Sequence, residues 1–279
     1  MSFRCTAFAV CLALAVFTAE VRVQRPLDPS RESGRSVTPA YEGWYENPDG
    51  TLTLSFGYFN RNTTEVLDIP VGPDNFVEPG EPNQIQPTHF LPGRRWGVFT
   101  VNVPADFGDA RVVWTLTSHG ETFAIPGHLH NDWLIDALSD GASGNVPPSI
   151  AFDTTTPKAQ GPHGLTGGPR AVSAGVPLRL RVFAEDDLIR RPTDIPYGPP
   201  ASAALTLTWV KHQGPGEVSF DESLLEIDAP DGEATTTATF DEPGKYILRV
   251  TVNDYSGIEH AGHAQCCWTN GFVRVEVTP

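Results

Sequence analysis

Apolar and polar positions alternate with period two in short runs along most of the chain, which is the pattern of half-buried β-strands. Thr51–Phe59 alternates directly after the turn Asn47-Pro-Asp-Gly50. Glu65–Ile69, Gly97–Val103, Arg111–Thr117 and Glu121–Ile125 follow, each bounded by Gly, Pro, Asn or Asp. His119-Gly120 suits a tight hairpin between the last two. Further on, Val176–Phe183 sets Val176, Leu178, Leu180 and Val182 on one face. Leu205–Trp209, Glu217–Phe220, Ala234–Phe240, Tyr246–Val252 and Phe272–Val277 continue the series. No stretch carries the 3.6-residue period of a helix of useful length. The pattern predicts an all-β protein of two antiparallel β-sandwiches in tandem.

Breaks in the pattern set the boundaries. Met1–Ala19 has one arginine followed by an uncharged run too short to span a bilayer, the form of a secretory signal. Residues 20–40 are polar and read as a flexible leader, residues 41–135 as the first sandwich, 136–145 as a linker and 146–279 as the second sandwich. Gly72–Gly93 reads as a long loop rich in Pro, Gly and Asn. The mature chain then has no membrane span and is expected outside the cytoplasm, periplasmic or extracellular.

Composition narrows the function. There are 34 acidic against 19 basic residues, for a formal charge of −15, so nucleic acid is excluded as a partner. Removing the signal leaves only the adjacent pair Cys266 and Cys267. No conventional disulfide framework is available, and the cores must carry stability by themselves.

The second segment resembles the immunoglobulin-like superfamily, in particular its PKD-like and cadherin-like extracellular modules. The resemblance rests on Asn145-Val-Pro-Pro-Ser-Ile150 at the entry, on Trp209 at the position of the third-strand tryptophan, and on Phe240-Asp-Glu-Pro-Gly-Lys-Tyr246. Asp241, Gly244 and Tyr246 have the spacing of a tyrosine corner. It implies structural roles for Trp209, Asp241, Gly244 and Tyr246, and it implies little about function. The first segment is assigned to no family.

Candidate chemistry is concentrated in loops. His260, His263, Cys266 and Cys267 offer nitrogen and sulfur donors suited to zinc or copper, while the cysteines alone would serve equally as packed thiols or as a vicinal disulfide. Immunoglobulin-like topology would bring Asp186, Asp187 and Asp194 to the same end of the sandwich. His128, His130 and Asp132 form a second, sparser donor set, and the acidic turns near Asp49 and Asp231 are candidate calcium ligands that turn chemistry alone explains. Arg94-Arg95-Trp96 is a candidate binding surface for acidic or sugar ligands. Phe56, Tyr58 and Trp114 are the residues to inspect for an exposed aromatic face, and Asn62-Thr-Thr64 matches a glycosylation acceptor. No nucleophile elbow, Walker loop or metalloprotease helix motif occurs.

The expectation is therefore an exported, non-catalytic binding, adhesion or spacer protein without a required cofactor, its partner a protein or a glycan. The alternatives are a metal-handling protein built on the His/Cys loop and an accessory carbohydrate-binding protein.

Overall fold

The computed structural model describes residues 31–141, 144–187, 204–254 and 265–279. Strands dominate, and the described residues contain a single short 3-10 turn, Asn131–Trp133. The first half forms β1 (Val37–Glu46), β2 (Leu52–Asn60), β3 (Leu67–Asp68), β4 (Asn75–Glu78), β5 (His89–Phe90), β6 (Gly93–Val103), β7 (Val112–Ser118) and β8 (Glu121–Gly127). These strands pair as antiparallel sheets β1-β2-β6, β4-β7-β8 and the small β3-β5. They enclose one core that includes Val37, Leu54, Phe56, Tyr58, Phe90, Phe99, Trp114 and Leu116. Phe56 stacks on Phe99 at 5.2 Å and Trp114 meets Phe99 edge-on at 5.0 Å. The aromatic face sought in Phe56, Tyr58 and Trp114 is thus interior, because all three point into this core.

The second half forms β9 (Ser149–Ala151), β10 (Leu165–Ser173), β11 (Leu178–Glu185), β12 (Leu205–Gln213), β13 (Val218–Phe220), β14 (Leu224–Ile227), β15 (Asp231–Phe240), β16 (Gly244–Asp254) and β17 (Trp268–Thr278). One sheet has the order β13-β15-β11-β9 and the other β10-β17-β16-β12-β14, with β10 parallel to β17. That division, with consecutive strands β11 and β12 in opposite sheets and β15 and β16 likewise, is immunoglobulin-like. Both sheets contribute to one core, with Leu180, Val182, Ala238 and Phe240 from the first and Leu207, Trp209, Leu248, Val250 and Val273 from the second. Tyr246 closes the corner: its hydroxyl donates to Glu242 O at 2.8 Å and accepts from Gly216 N at 3.0 Å. Gly244 sits at φ +155°, where a Cβ would meet Pro215 Cγ at 2.6 Å.

Several boundaries differ from the sequence expectation. The leader expected to reach residue 40 ends earlier, since β1 begins at Val37, whose side chain is fully buried. The long loop at 72–93 contains β4 and β5, pinned by Asn75 Nδ2 donating to Ile69 O and Pro87 O at 2.9 and 2.8 Å. The expected linker is partly interior, with Ala137 packed against Tyr45 and Ile135.

The halves touch along a defined face. Leu248, Val250 and Val252 of β16 enter the core, which turns Arg249, Thr251 and Asn253 to the other side of the sheet, toward β6. His212 Nε2 donates to Ile85 O at 2.6 Å, and Thr88 N donates to His212 O at 2.8 Å. Gln213 Nε2 donates to Gln86 O at 2.7 Å, and Asn270 Nδ2 donates to Gly97 O at 2.8 Å. The buried Lys211 ammonium lies 3.1 Å from Asp68 and donates to Gly216 O at 2.9 Å.

Candidate functional site

A cavity of about 340 Å³ opens where β1, β6 and the segment after β8 meet the start of the last strand's approach. It is lined by Tyr41, Glu42, Arg94, Trp96, Asp132, Trp133, Ile135 and Gln265. Irregular pairing places these side chains. Between Tyr41↔Phe56 and Gly43↔Ser55, Glu42 has no partner on β2, so it is the extra residue of a β-bulge. Between Phe56↔Phe99 and Tyr58↔Arg95, three residues of β6, Trp96, Gly97 and Val98, face Gly57 alone. The two bulges turn Glu42 and Trp96 out of simple alternation.

Gly57 is required by this approach, since a Cβ there would collide with the Glu42 carboxylate and Arg95 O and lie 2.8 Å from Arg94 Nη1. Gly97, at φ +48°, likewise has no room for a side chain beneath the Trp268 indole.

Glu42 is almost fully buried, and Arg94 Nη2 reaches its Oε1 at 2.5 Å. Burial outweighs that cation and pushes the carboxyl up to about 7. The Arg94 guanidinium also lies over the Trp96 ring at 3.8 Å from its centroid, and it donates to Tyr58 O at 3.0 Å and Arg95 O at 2.7 Å. Opposite, Trp133 is 40% exposed and stacks on Tyr41 at 5.2 Å. The segment carrying it is tied to β1: Tyr41 Oη donates to His128 O, Trp44 Nε1 donates to His130 O at 2.9 Å, and Ile135 N donates to Trp44 O at 2.9 Å. Gln265 Nε2 donates to Glu42 O at 2.9 Å, while its buried Oε1 has no hydrogen-bond partner.

The site therefore offers two indoles, a phenol ring, a carboxyl–guanidinium pair, an acidic residue and an unsatisfied amide oxygen. Of the residues singled out in the sequence, Arg94, Trp96 and Asp132 line the cavity, with Arg95 exposed beside it. Glu42, Tyr41 and Gln265 carried no signal: each sits in a run whose pattern reads as ordinary strand or loop. Asp132 was singled out as a donor with His128 and His130, whose rings lie 4.2 Å apart, whereas Trp133 carried no signal of its own.

The structure joins Cys266 and Cys267 to each other in a disulfide, and both are buried. That arrangement is the vicinal-disulfide alternative of the pair, in which the sulfurs have no thiolate to give a metal. Asp194, His260 and His263 lie outside the described residues. Asp186 is buried, with its N donating to Pro230 O at 2.7 Å. Asp187 follows at the end of β11. Among the described residues no group of three or more His, Cys, Asp and Glu forms a metal-binding set. Asn62 does not suit glycosylation, being buried with its Nδ2 donating to Arg35 O at 2.7 Å and Asn60 Oδ1 at 2.9 Å.

No protein-family model matches the chain. No curated protein matches it either. Solved structures similar to it include domains 4 and 5 of the S-layer protein SbsC, at 14% identity and TM-score 0.25, covering 75% of this chain and 78% of that one. The D00-D0 domain of intimin matches at 10% identity and TM-score 0.26, covering 88% and 100%. The titin Ig tandem A164-A165 matches at 12% identity and TM-score 0.23, covering 88% and 99%. Matches of this quality transfer no function to the chain. Among the described residues no helix is long and apolar enough to cross a membrane.

Proposed function

We propose that this is an exported, non-catalytic binding protein of two tandem sandwich domains that holds a carbohydrate in the cleft between them. The observation that carries the reading is that Trp96 and Trp133 both line one largely apolar cavity that also holds Glu42, Asp132 and Gln265. Indole faces accept the C–H face of a sugar ring, and the carboxyl and amide groups around them accept or donate to its hydroxyls.

Binding is favoured over hydrolysis because Glu42 is committed to Arg94 at 2.5 Å and is almost wholly covered, leaving it poorly presented as a proton donor to a glycosidic oxygen. Titration of the mature protein against a panel of neutral and acidic oligosaccharides, followed by tryptophan fluorescence, tests the reading. Saturable binding is expected for at least one member, weakened about tenfold or more in Trp133→Ala and Trp96→Ala. Binding that neither substitution affects, or no binding across the panel, would contradict it.

A further inference from the structure

Beside the aromatic cleft lies a smaller recess of about 100 Å³, lined by Leu91, Arg94, Arg95, Trp96, Thr208, Val210, Arg249, Thr251 and Asn253. Its floor is the outer face of the second half's larger sheet. Val210 is paired with Arg249 and Thr208 with Thr251, so the hydroxyls and the guanidinium stand on adjacent rungs of one face. Its wall is the start of β6. Among the described residues three arginines and no carboxylate line it, in a chain of formal charge −15.

Arg249 is the anomaly. Only 9% of it is exposed, and its Nε has no hydrogen-bond partner. Neither Arg249 nor Arg95 has an ion-pair partner among the described residues, although other cations of the same interface do, such as Arg94 with Glu42 and Lys211 with Asp68. The nearby Tyr58 phenol is no counter-ion, because burial raises its pKa and keeps it neutral. Arg95 donates to Pro92 O at 3.1 Å and its guanidinium also reaches the Tyr58 hydroxyl, neither of which is an anionic partner. An uncompensated buried guanidinium is costly unless something anionic meets it.

We propose that this recess is an oxyanion site, in which Arg249 and Arg95 grip a sulfate, phosphate or carboxylate group and the hydroxyl of Thr208 completes the shell, the Thr251 hydroxyl being given to Asn270 Oδ1 at 3.1 Å. The anion is either a free inorganic ion or the acidic substituent of a sugar whose ring lies in the adjoining cleft; the latter source rests on the carbohydrate reading above, and the site itself does not. The recess and the cleft share Arg94 and Trp96.

The test is titration of the mature protein with sodium sulfate against sodium chloride at matched ionic strength, following the unfolding midpoint and the dissociation constant. A saturable rise of the midpoint with sulfate alone is expected, with affinity at least about tenfold weaker in Arg95→Gln, whose exposed side chain leaves folding intact, and in Arg249→Met. A response equal in the two salts, or unchanged in both variants, overturns the site. A second arm uses Trp133→Ala. Retention of the sulfate response there, with acidic-oligosaccharide binding lost, supports the site apart from the carbohydrate reading. Competition between sulfate and an acidic oligosaccharide in the wild type supports a glycan-borne anion, and additive binding of the two supports a free one. Loss of the sulfate response in Trp133→Ala while Arg95→Gln keeps it would overturn the assignment to the arginines.

Discussion

Glu42 shows how one residue links local backbone to site chemistry. As the extra residue of a bulge it leaves the alternation of β1 and turns toward Arg94, in a space that exists only because residue 57 is glycine. Its carboxyl is raised from 4.5 to about 7, so the folded state holds the proton more tightly than the unfolded chain. The stability this confers is complete below about pH 4.5 and is lost as pH rises through 7. Relative to Glu42→Gln, the wild type is therefore expected to lose up to about 3 kcal/mol between pH 4.5 and pH 8 in denaturant unfolding. A wild-type-minus-variant difference that stays flat over that range would show that Arg94 cancels the burial. Gly57→Ala is expected to cost about 1–3 kcal/mol by overpacking the same spot, measured as a shift in the denaturant midpoint. Arg94-Arg95-Trp96 was legible in the sequence because three bulky side chains in succession break a strand's alternation visibly. Glu42 was not, because nothing in Ala40–Tyr45 marks which residue is the insertion.

At the level of elements, the strands follow from the hydrophobic pattern wherever one face is apolar throughout. β2, β7, β11, β15 and β16 appear within a few residues of their predicted spans, since Leu180, Val182, Val250 and their like have no other place to go. Short strands such as β4 and β5 were hidden, because their order comes from Asn75 and Gln86 bonding backbone groups rather than from apolar side chains. Irregularity again marks the important contact in β12. His212 is skipped between Lys211↔Leu248 and Gln213↔Ile247, and this bulge buries three successive residues against the first half. Burial lowers the His212 pKa from 6.5 to about 3, aided by the charge of Arg249. The neutral ring is thus the folded form; its contribution is present above pH 6.5 and is lost as pH falls toward 3, by about 1.4 kcal/mol for each pH unit. His212→Gln, which keeps a donor for Ile85 O, is expected to flatten the acid limb of the stability profile in that window. An acid limb identical to the wild type would place the acid-sensitive group elsewhere.

Across the whole molecule, the account turns on the larger sheet of the second half having two used faces. Its inner face made the immunoglobulin-like resemblance readable. Its outer face, with Thr208 and Val210 beside Arg249, Thr251 and Asn253, has the polar alternation of a strand facing water, so its contact with β6 was not readable. The smaller recess arises at that contact, while the larger cavity beside it takes Gln265 alone from the second half. The most direct measurement is hydrogen exchange on the mature protein with and without the tightest-binding oligosaccharide of the panel. The account predicts added protection in Gly93–Val98 and around Asn131–Ile135 of the first half together with Gln265–Trp268 of the second. Protection confined to one half, or to segments remote from β6, would contradict a ligand held between them.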